Sequence, residues 1–470
     1  MTDAVVVGSG PNGLVAAVTL ARAGWDVLVL EAADIIGGGT RSAALTEPGF
    51  VHDVCSAVHP LGVGSPAMRA LDLERHGLQW IQPDAAYAHP LDGGRAAILE
   101  RSVDATASRL GSDGDAYRAL LDPLVAHGDA IVDTMMSPLG VPHAPLANAR
   151  FGLHAIRSAT GLVKRFSGDE ARGLVAGSAA HAILPFTALG TGGYALFMTM
   201  LGHRVGWPIP AGGSQRIADA LAAELVAHGG RIETGTEVRA LGELPAARAV
   251  LLDVTPRQLL AIGGDAIPSG YARALRRFRY GPGVFKVDWA LDAPIPWAAP
   301  EVARTATVHL GGSFEEVAAS EAAVGSGHHA DSPFVILVQS SLFDPTRAPP
   351  GAHTAWAYCH VPNGSTVDRT DAIERQVERF APGFRDTIRA RHTMNTEAFQ
   401  HHDANYIGGD ISGGAGDIRQ LFTRPVVSPR PWVTPIPHVY LCSSSTPPGG
   451  GVHGMCGWNA ARAVLKREHR

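Results

Sequence analysis

The sequence predicts an α/β protein in which one parallel-sheet domain is assembled from three separate segments, and the intervening chain forms a second, mixed α+β domain. Three observations predict this architecture. A strand, a helix and a second strand open the chain; a similar pattern begins near residue 212; and a strand, a glycine-rich turn and a helix close it. Short continuous apolar strands that alternate with helices are typical of a parallel sheet covered on both faces.

The elements of the three segments follow from apolar periodicity and from glycine-rich turns. Ser214 is the expected cap of the middle helix, in which Ile217, Leu221 and Leu225 recur on one face. Strands are predicted at residues 4–7, 26–31, 231–238, 248–254 and 439–442, and helices at 13–23, 214–228 and 452–465.

Two long insertions separate the three segments. The first is rich in helices, for example at residues 116–127, and the second combines strands with an amphipathic helix at 371–381. Strand candidates in the second insertion lie at 284–291, 334–339 and 353–360. The predicted boundaries are residues 1–64, 208–254 and 417–470 for the parallel-sheet domain, and 65–207 and 255–416 for the second domain.

Composition and charge exclude several classes of protein. With 470 residues, of which 46% are hydrophobic and 18% charged, the chain can bury a large core. Its formal charge of -5, from 39 basic and 44 acidic residues, favours no nucleic-acid partner. The four cysteines lack the C-x-x-C spacing of a redox dithiol or a zinc site, and the histidine pairs at 328–329 and 401–402 lack a third ligand, so no metal site is predicted.

The N-terminus and the least polar stretch bear on location. The chain runs directly into an apolar strand without the basic region and cleavage site of a secretory signal, so the cytoplasm is the expected location. Residues 173–202 contain no Asp, Glu, Lys or Arg, but Gly177, Pro185 and Gly190 interrupt them. Because a spanning helix needs about 20 mostly apolar residues without such breaks, we expect buried helices that line a substrate cavity, with a peripheral membrane contact as the alternative.

A glycine-rich turn connects the first strand to the first helix and is typical of proteins that bind dinucleotides. In the pattern G-x-G-x-x-G, the first glycine permits the tight turn, the second lets the backbone approach a pyrophosphate, and the third lets helix and strand pack closely. The amides at the N-terminus of the helix then face the phosphates. The residues of this turn are Gly8, Ser9, Gly10, Pro11, Asn12 and Gly13.

An acidic residue and a second glycine turn follow. Glu31, directly before Ala32, ends the second strand and is separated from Gly13 by seventeen residues. At that spacing the carboxylate can accept both hydroxyls of a ribose, and it disfavours a 2′-phosphate. The second turn can pass close to a long ligand and place an arginine near phosphate or flavin. Its residues are Gly38, Gly39, Thr40 and Arg41.

These features resemble the FAD-dependent amine oxidase and phytoene desaturase superfamily, in which a Gly-Gly pair and a small or basic residue follow the acidic residue. The resemblance implies a Rossmann-like FAD-binding domain and FAD as the cofactor. It continues at residues 206–213, which look like the segment that re-enters the FAD domain in desaturases. It also includes Val238, which matches a valine whose backbone meets the adenine.

The C-terminal segment carries the same resemblance with one departure. Residues 448–454 are similar to the last FAD-binding turn of the family, and a helix expected to start near Val452 would stabilise negative charge on the reduced flavin. Relatives have glycine or glutamate where this chain has serines at 443–445, so a charged contact is lost. The residues expected to bind FAD here are Ser444, Gly450, Gly451 and Val452.

Residues 52–60 and 405–410 make one branch of the superfamily the most similar. It is the phytoene-desaturase-like branch related to retinol saturase and to pyridine nucleotide-disulphide oxidoreductase domain-containing proteins. The resemblance covers essentially the whole chain, but the missing C-x-x-C excludes dithiol chemistry. On the resemblance alone, Asn405 and Tyr406 are candidates for the cavity wall.

Few side chains are expected to take part in the chemistry, because flavin oxidation mainly needs a substrate C–H bond held against the flavin. Lys286 shares a strand face with Asp288. In the amine oxidases, the lysine of a similar strand reaches toward the flavin through water; a salt bridge between Lys286 and Asp288 is the alternative. His59 is a candidate base near the flavin, or else a core histidine. His453 is expected to orient the backbone or to relay a proton.

The predicted function is FAD-dependent removal of hydride from a C–C or C–N bond of a largely apolar small molecule, by a desaturase, dehydrogenase or oxidase. No second G-x-G-x-x-G follows a strand, so oxygen, a quinone or another acceptor is expected to reoxidise the flavin. Two alternatives stay open: a non-catalytic lipid- or protein-binding protein on the same fold, as in Rab GDP-dissociation inhibitors, and a flavoprotein whose role is assembly. A homodimer also stays open.

Overall fold

The computed structural model describes residues 2–138, 142 and 144–468. Its strands in chain order are β1 (Ala4–Val7), β2 (Val27–Leu30), β3 (Ser42–Ala43), β4 (His52–Asp53), β5 (Trp80–Ile81), β6 (Tyr87–Leu91), β7 (Arg95–Leu99), β8 (Ile209–Pro210), β9 (Arg231–Glu233), β10 (Ala249–Leu252), β11 (Gly283–Leu291), β12 (Thr307–Leu310), β13 (Val335–Val338), β14 (His353–Val361), β15 (Ile388–Met394) and β16 (Val439–Leu441).

The α-helices in chain order are α1 (Pro11–Arg22), α2 (Pro60–Gly64), α3 (Pro66–Leu71), α4 (Val103–Ala107), α5 (Gly114–Ala126), α6 (Gly128–Met136), α7 (Pro145–Ala155), α8 (Ala159–Leu162), α9 (Asp169–Ala180), α10 (Thr191–Val205), α11 (Gln215–Ala227), α12 (Pro256–Gly263), α13 (Ser269–Leu275), α14 (Phe314–Gly325), α15 (Thr370–Phe380), α16 (Thr396–His402), α17 (Ile418–Phe422) and α18 (Met455–Glu468).

A parallel sheet with the order β16-β10-β1-β2-β9 joins the three segments. The central strand β1 pairs in parallel with β10 on one side and with β2 on the other, so that Val5 is opposite both Val250 and Leu28. All four residues of β1 are buried, as its unbroken apolar sequence requires. One face of the sheet packs against α1, α11 and α18, and the other packs against α12 and α13.

A second sheet with the order β15-β11-β14-β13-β12-β6-β7 forms the other domain. Its pairs are antiparallel except for β12 and β6, which run parallel. Strands β6 and β7 come from the first insertion and the others from the second, so the two insertions build one sheet. The predicted fold class, a Rossmann-like parallel-sheet domain from three segments with a mixed α+β domain, is therefore confirmed. The predicted domain boundaries stay predictions.

The low-polarity stretch at residues 173–202 forms most of α9 and α10, which are largely buried. These helices pack against each other, and α9 also packs against β6 and β7. In the described part of the chain, no helix combines the length and the apolar character that crossing a bilayer requires.

Two predicted elements of the middle segment are wrong in detail. The strand predicted at residues 231–238 ends at Glu233. Ser214 lies at the N-cap of α11 but does not cap it, because its hydroxyl bonds Nε2 of His59 at 2.8 Å. The first amides of the helix are bonded instead by residues of the neighbouring hairpin: Asp53 accepts from the amide of residue 214 at 2.7 Å, and Ser42 from that of residue 215 at 3.1 Å.

The C-terminal helix α18 packs directly on the backbone of α1. A Cβ at Gly457 would collide with the carbonyl oxygen of Asn12, so the two helices touch where only glycine fits. This contact attaches the last segment of the chain to the glycine-rich turn of the first.

Gly457→Ala is expected to destabilise the protein by about 3 kcal/mol, because an added methyl group would force the two helices apart. Alanine is the better helix former, so any loss must come from packing. Chemical denaturation measures the change. Gly270→Ala in α13, where a Cβ would meet nothing within 4 Å, is the control and should be neutral or slightly stabilising. Equal stability of Gly457→Ala and the unaltered protein would contradict the contact.

Candidate cofactor and substrate site

A cavity of about 830 Å³ lies between the carboxyl ends of the parallel strands and the second sheet. At one end its wall includes residues that follow β1, β2 and β10. At the other end, side chains of β12, β13, β14 and α10 complete it. Ligands of open parallel sheets bind outside the carboxyl ends of the strands, which is where this cavity begins.

The turn between β1 and α1 brings backbone rather than side chains to the cavity. Gly8 has φ of +101°, and a Cβ there would lie 3.0 Å from Cβ of Asp253. At Gly10 a Cβ would lie 3.0 Å from Oδ2 of the same aspartate. Gly13 does not line the cavity; a Cβ there would collide with the carbonyl oxygen of Gly8. The residues of the turn that do line it are Gly8, Ser9, Gly10, Pro11 and Asn12.

Glu31 lies at this end of the cavity, buried and already hydrogen-bonded. Its Oε2 accepts the amide and the hydroxyl of Ser9 at 2.8 and 2.6 Å, and its Oε1 accepts the amide of Ala33 at 2.9 Å. Arg41 lies 3.3 Å from Oε1 and also donates to the carbonyl of His402. Arg41 therefore neutralises Glu31 at the sheet edge. Ala32 and Val238 line the cavity nearby.

The second glycine turn closes against the first. Gly38 has φ of +50°, and a Cβ there would lie 3.3 Å from Cα of Gly10. Gly39 lies against the hydroxyl of Tyr406. Thr40 does not reach the cavity, contrary to expectation, because it is fully buried and its hydroxyl donates to the carbonyl of Gly37 at 2.8 Å.

The C-terminal turn supplies the opposite wall. Gly450, Gly451 and Val452 line the cavity, but α18 starts at Met455 rather than near residue 452, so the amides of the turn precede the helix. His453 does not line the cavity: Nδ1 accepts the amide of Met455 at 3.0 Å, and Nε2 lies 3.2 Å from the carbonyl oxygen of Gly449. Burial lowers its pKa to about 4. The predicted role in orienting the backbone fits this geometry.

The three serines that replace the glycine or glutamate of relatives have different roles. The hydroxyl of Ser443 donates to the carbonyl of Val254 at 2.7 Å, and that of Ser445 donates to the carbonyl of Gly413 at 2.8 Å. Ser444 instead accepts from Nδ2 of Asn12 at 3.2 Å. Ser444 is therefore the hydroxyl that joins the two chain ends at the cavity wall.

Asp253 is a site residue that the sequence analysis missed. It follows β10, and its Oδ2 accepts the amide of Gly13 at 2.9 Å. Burial raises the pKa of Asp253 to about 8. The hydrogen bond from the Gly13 amide opposes this rise, whereas the negative charges of Asp403 and Glu31 add to it. The signal that could have found it is an acidic residue directly after a parallel strand, at the edge where ligands bind.

His59 lines the cavity, as predicted, but is a weak base. Its Nε2 bonds the hydroxyl of Ser214, Nδ1 has no partner among the described residues, and the ring packs against Trp80 with centroids 5.9 Å apart. Burial lowers the pKa of His59 to about 4, against the opposing charge of Asp53. The ring is therefore neutral near pH 7, and a role as a base stays a prediction.

Lys286 does not line the cavity, so the structure does not support contact with a bound ligand. Its Nζ lies 2.5 Å from Oδ1 of Asp288, and both side chains are almost fully buried. His52 and His392 are within 3.6 and 3.5 Å of the same carboxylate. The ammonium group also lies 5.6 Å from the centre of the Trp356 ring, which does line the cavity. The salt bridge that the sequence analysis left open is the arrangement observed.

The far end of the cavity is aromatic and apolar. His181 is one of few polar groups there; its Nε2 lies 3.0 Å from Nε2 of His309, so one ring donates and the other accepts. Burial, with the charge of His360, lowers the pKa of His181 to about 3. Both predicted wall residues, Asn405 and Tyr406, line the cavity nearer the sheet. The apolar and aromatic lining consists of Ile183, Tyr194, Met198, Trp207, Ile336, Trp356 and Tyr358.

Arg424 is a second wall residue that the sequence analysis missed, and it is a buried cation. Its side chain is 3% exposed, and Nη2 donates to the carbonyls of Ser412 and Gly414 at 2.9 and 3.1 Å. Nε has no partner within the described residues. Burial lowers the pKa of the guanidinium. The charges of Asp410 and Asp417 oppose this decrease, but neither carboxylate forms an ion pair with Arg424 in the described structure. No sequence motif marked this arginine.

We expect the Tm of the Asp253→Asn apoprotein to rise relative to the Tm of the unaltered apoprotein as the pH increases. Between pH 5 and pH 8 the difference between the two Tm values should change by at least about 2 °C. The raised pKa of Asp253 means that the folded chain keeps a proton that the unfolded chain releases above about pH 4. The free energy of unfolding therefore falls as the pH rises toward 8, and asparagine removes this fall. Asp34→Asn, at an exposed position, is the control; a difference in Tm that does not widen with pH would contradict the assignment.

Comparisons with known proteins agree with this geometry. The family model of the NAD(P)-binding Rossmann-like domain matches residues 6–72. The chain is 26% identical to the mouse pyridine nucleotide-disulfide oxidoreductase domain-containing protein 2, over 99% of this chain and 93% of that protein. It is 25% identical to a neurosporene-forming phytoene desaturase of Rhodobacter capsulatus, over 97% and 92% of the two chains.

The fold is also that of solved amine oxidases. Putrescine oxidase bound to putrescine superimposes with a TM-score of 0.62 at 17% identity, over 100% of this chain and 99% of that one. The predicted resemblance, including the branch that contains the pyridine nucleotide-disulfide oxidoreductase domain-containing proteins, is confirmed. The chain is therefore similar in sequence to a pyridine nucleotide-disulfide oxidoreductase domain-containing protein and to a phytoene desaturase, and it shares the fold of the amine oxidases.

Proposed function

We propose that this protein binds FAD and uses it to remove hydride from a C–C or C–N bond of a largely apolar small molecule, with oxygen or a quinone as the electron acceptor. One observation carries the proposal: a single cavity of about 830 Å³ joins a dinucleotide-type backbone turn to an aromatic, apolar pocket. Its volume lies in the upper part of the roughly 300–1,000 Å³ typical of ligand sites, as a site for cofactor plus substrate requires.

The residues at the sheet edge fit FAD. At Gly8 and Gly10 the backbone itself forms the wall, which lets a pyrophosphate approach the amides of α1. Glu31 and Val238 would hold the adenosine end, Asn12 and Ser444 the phosphates and ribityl chain, and the amides of residues 450–452 the flavin ring. When bound, FAD would supply the acceptor for the hydride.

The protein side chains would hold the substrate in place and exclude water from the site, rather than act as acids or bases. His59 is neutral and tied to Ser214, and the pKa of His181 is about 3, so neither is suited to take a proton near pH 7. Aromatic and apolar side chains exclude water and hold the substrate. Lys286 is paired with Asp288 and lies 5.6 Å from the centre of the Trp356 ring, which belongs to this wall.

The charge in the wall favours a neutral or anionic substrate over a cationic amine. Arg424 is a buried guanidinium without an ion-pair partner in the described structure. A buried charge of this kind is costly unless a counter-charge approaches it. A carboxylate on an apolar substrate would provide that counter-charge, whereas an ammonium group would be repelled.

Glu31→Gln is expected to weaken FAD binding about tenfold to 100-fold, because hydrogen bonds to a charged group contribute about 1.5–3 kcal/mol. Quenching of flavin fluorescence during titration measures the affinity. Glu233→Gln is the matched control: it lies on the adjacent strand β9, its side chain is exposed, and only its backbone carbonyl contacts Glu31. A protein that is colourless and takes up no FAD would overturn the proposal in favour of a non-catalytic binding protein.

Decanoate is expected to raise the Tm of the flavin-loaded protein, and decylamine at the same concentration is not. Arg424→Gln should abolish the shift caused by decanoate, and Arg424→Lys should retain part of it, because the lysine keeps the charge but not the planar fork. Arg279→Gln removes an exposed arginine that pairs with Asp417, and it should leave the shift unchanged. A larger shift with decylamine than with decanoate would contradict the assigned substrate charge.

A further inference from the structure

Helix α7 and the loop before α10 expose a group of large apolar side chains. Leu146 is 87% exposed, Leu153 71%, Ile156 55% and Leu189 57%. Exposure of this extent at a single leucine is ordinary, but four such side chains on adjoining segments form an apolar surface that water disfavours. We refer to these four residues, with the basic residues described next, as the α7 patch.

The same part of the chain is basic and free of acidic residues. Between Asp133 and Asp169 there is no Asp or Glu, although the whole chain has a net charge of -5. The basic residues of the patch are Arg150, Arg157, Lys164 and Arg165.

These cations lie close together rather than in ion pairs. Burial and the charges of Arg165, Arg157 and Arg150 lower the pKa of His154, so three arginines surround one imidazole. Arg150 donates to a backbone carbonyl, that of Ala119, at 3.2 Å. Three carboxylates of the surrounding helices are paired with other arginines, namely Arg118, Arg172 and Arg204. Within the described residues, none of the four basic side chains of the patch forms an ion pair.

Backbone hydrogen bonds hold the patch together and attach it to the cavity wall. The amide of Gly190 lies 3.2 Å from the carbonyl oxygens of Ile156 and Arg157, and the amide of Gly192 donates to Arg157 at 3.0 Å. Leu189 is thereby fixed beside the end of α7. Helix α10 starts at this junction, and its Tyr194 lines the cavity one turn later.

We propose that the α7 patch docks the protein onto the surface of an anionic lipid bilayer. Leucine and isoleucine side chains on a short helix can enter the boundary between headgroups and acyl chains, and basic residues beside them contact anionic headgroups. Each basic residue near such a surface strengthens binding roughly fivefold, an effect that salt screens. Apolar insertion and charge attraction therefore act at the same place on the fold.

The position of the patch also suggests how the substrate reaches the cavity. This inference about the substrate rests on the proposed function. An apolar substrate with a carboxylate partitions into bilayers, and α10 leads from the patch to the aromatic end of the cavity. A protein docked through α7 would collect such a substrate from the lipid. Binding to vesicles requires neither flavin nor turnover, so failure of the docking test and failure of the proposed function are distinguishable.

Co-sedimentation with vesicles tests the docking. The purified protein is expected to bind vesicles of phosphatidylcholine mixed with phosphatidylglycerol at least tenfold more strongly than vesicles of phosphatidylcholine alone, and high salt should reduce the difference. Arg150→Gln with Arg157→Gln should weaken binding roughly twentyfold, and Leu153→Ser with Leu189→Ser at least tenfold. Every substituted side chain is largely exposed, so folding should be unaffected.

Two matched controls lie outside the patch. Arg276→Gln with Arg277→Gln removes the same charge from the exposed surface after α13, and Val427→Ser removes a side chain that is 83% exposed. Both should bind vesicles as the unaltered protein does. Absence of binding, equal binding to both kinds of vesicle, or equal losses in the controls would overturn the proposal. So would a dimer that the double leucine variant converts to a monomer while no form binds vesicles, because the patch would then be a contact between copies of the chain.

Discussion

The site depends on contacts in which two stretches of backbone touch with no side chain between them. Gly13 packs on the carbonyl of Gly8, Gly38 packs on Gly10, and Gly457 of the C-terminal helix packs on the carbonyl of Asn12. A methyl group at Gly13 or Gly457 would collide with these carbonyls, and one at Gly38 would be crowded against Gly10. Because of them, the first turn, the second turn and the last helix are held together, and glycine backbone forms part of the cavity wall at the sheet edge.

Charge is distributed unequally along the cavity. Carboxylates gather near the sheet edge, where Glu31 is bonded by amides, a hydroxyl and Arg41, and where burial raises the pKa values of Asp253 and Asp403. Arg424, farther along the wall, is a cation without an ion-pair partner in the described structure. The far end of the cavity is lined mainly by aromatic and apolar side chains. The proposed apolar substrate with an anionic group would provide the counter-charge that Arg424 lacks, whereas a cationic amine would not.

One open alternative and one wrong prediction of the sequence analysis have the same physical origin. Alternation along β11 correctly places Lys286 and Asp288 on one face, but only the neighbouring strands determine what that face meets. Trp356 on β14 is the cross-strand partner of Asp288, its ring centre lies 5.6 Å from the ammonium group, and the lysine is buried. Ser214 has the right position and residue type for a helix cap, yet its hydroxyl bonds His59 because a distant hairpin satisfies the helix amides first.

By itself, the sequence determined the features that are local in the chain. Apolar runs, helical periodicity and glycine spacing predicted the five strands of the parallel sheet from three segments, the helices α1, α11 and α18, and most of the residues that line the cavity near the sheet. Only three of the seven strands of the second sheet, β11, β13 and β14, were predicted. The tertiary structure alone decided which of those residues reach the cavity, as with Thr40 and Lys286, and it revealed Asp253 and Arg424. How deeply a side chain is buried, and how far it lies from other charges, depends on segments that are hundreds of residues apart. The spacing of residues within one segment therefore cannot predict either property.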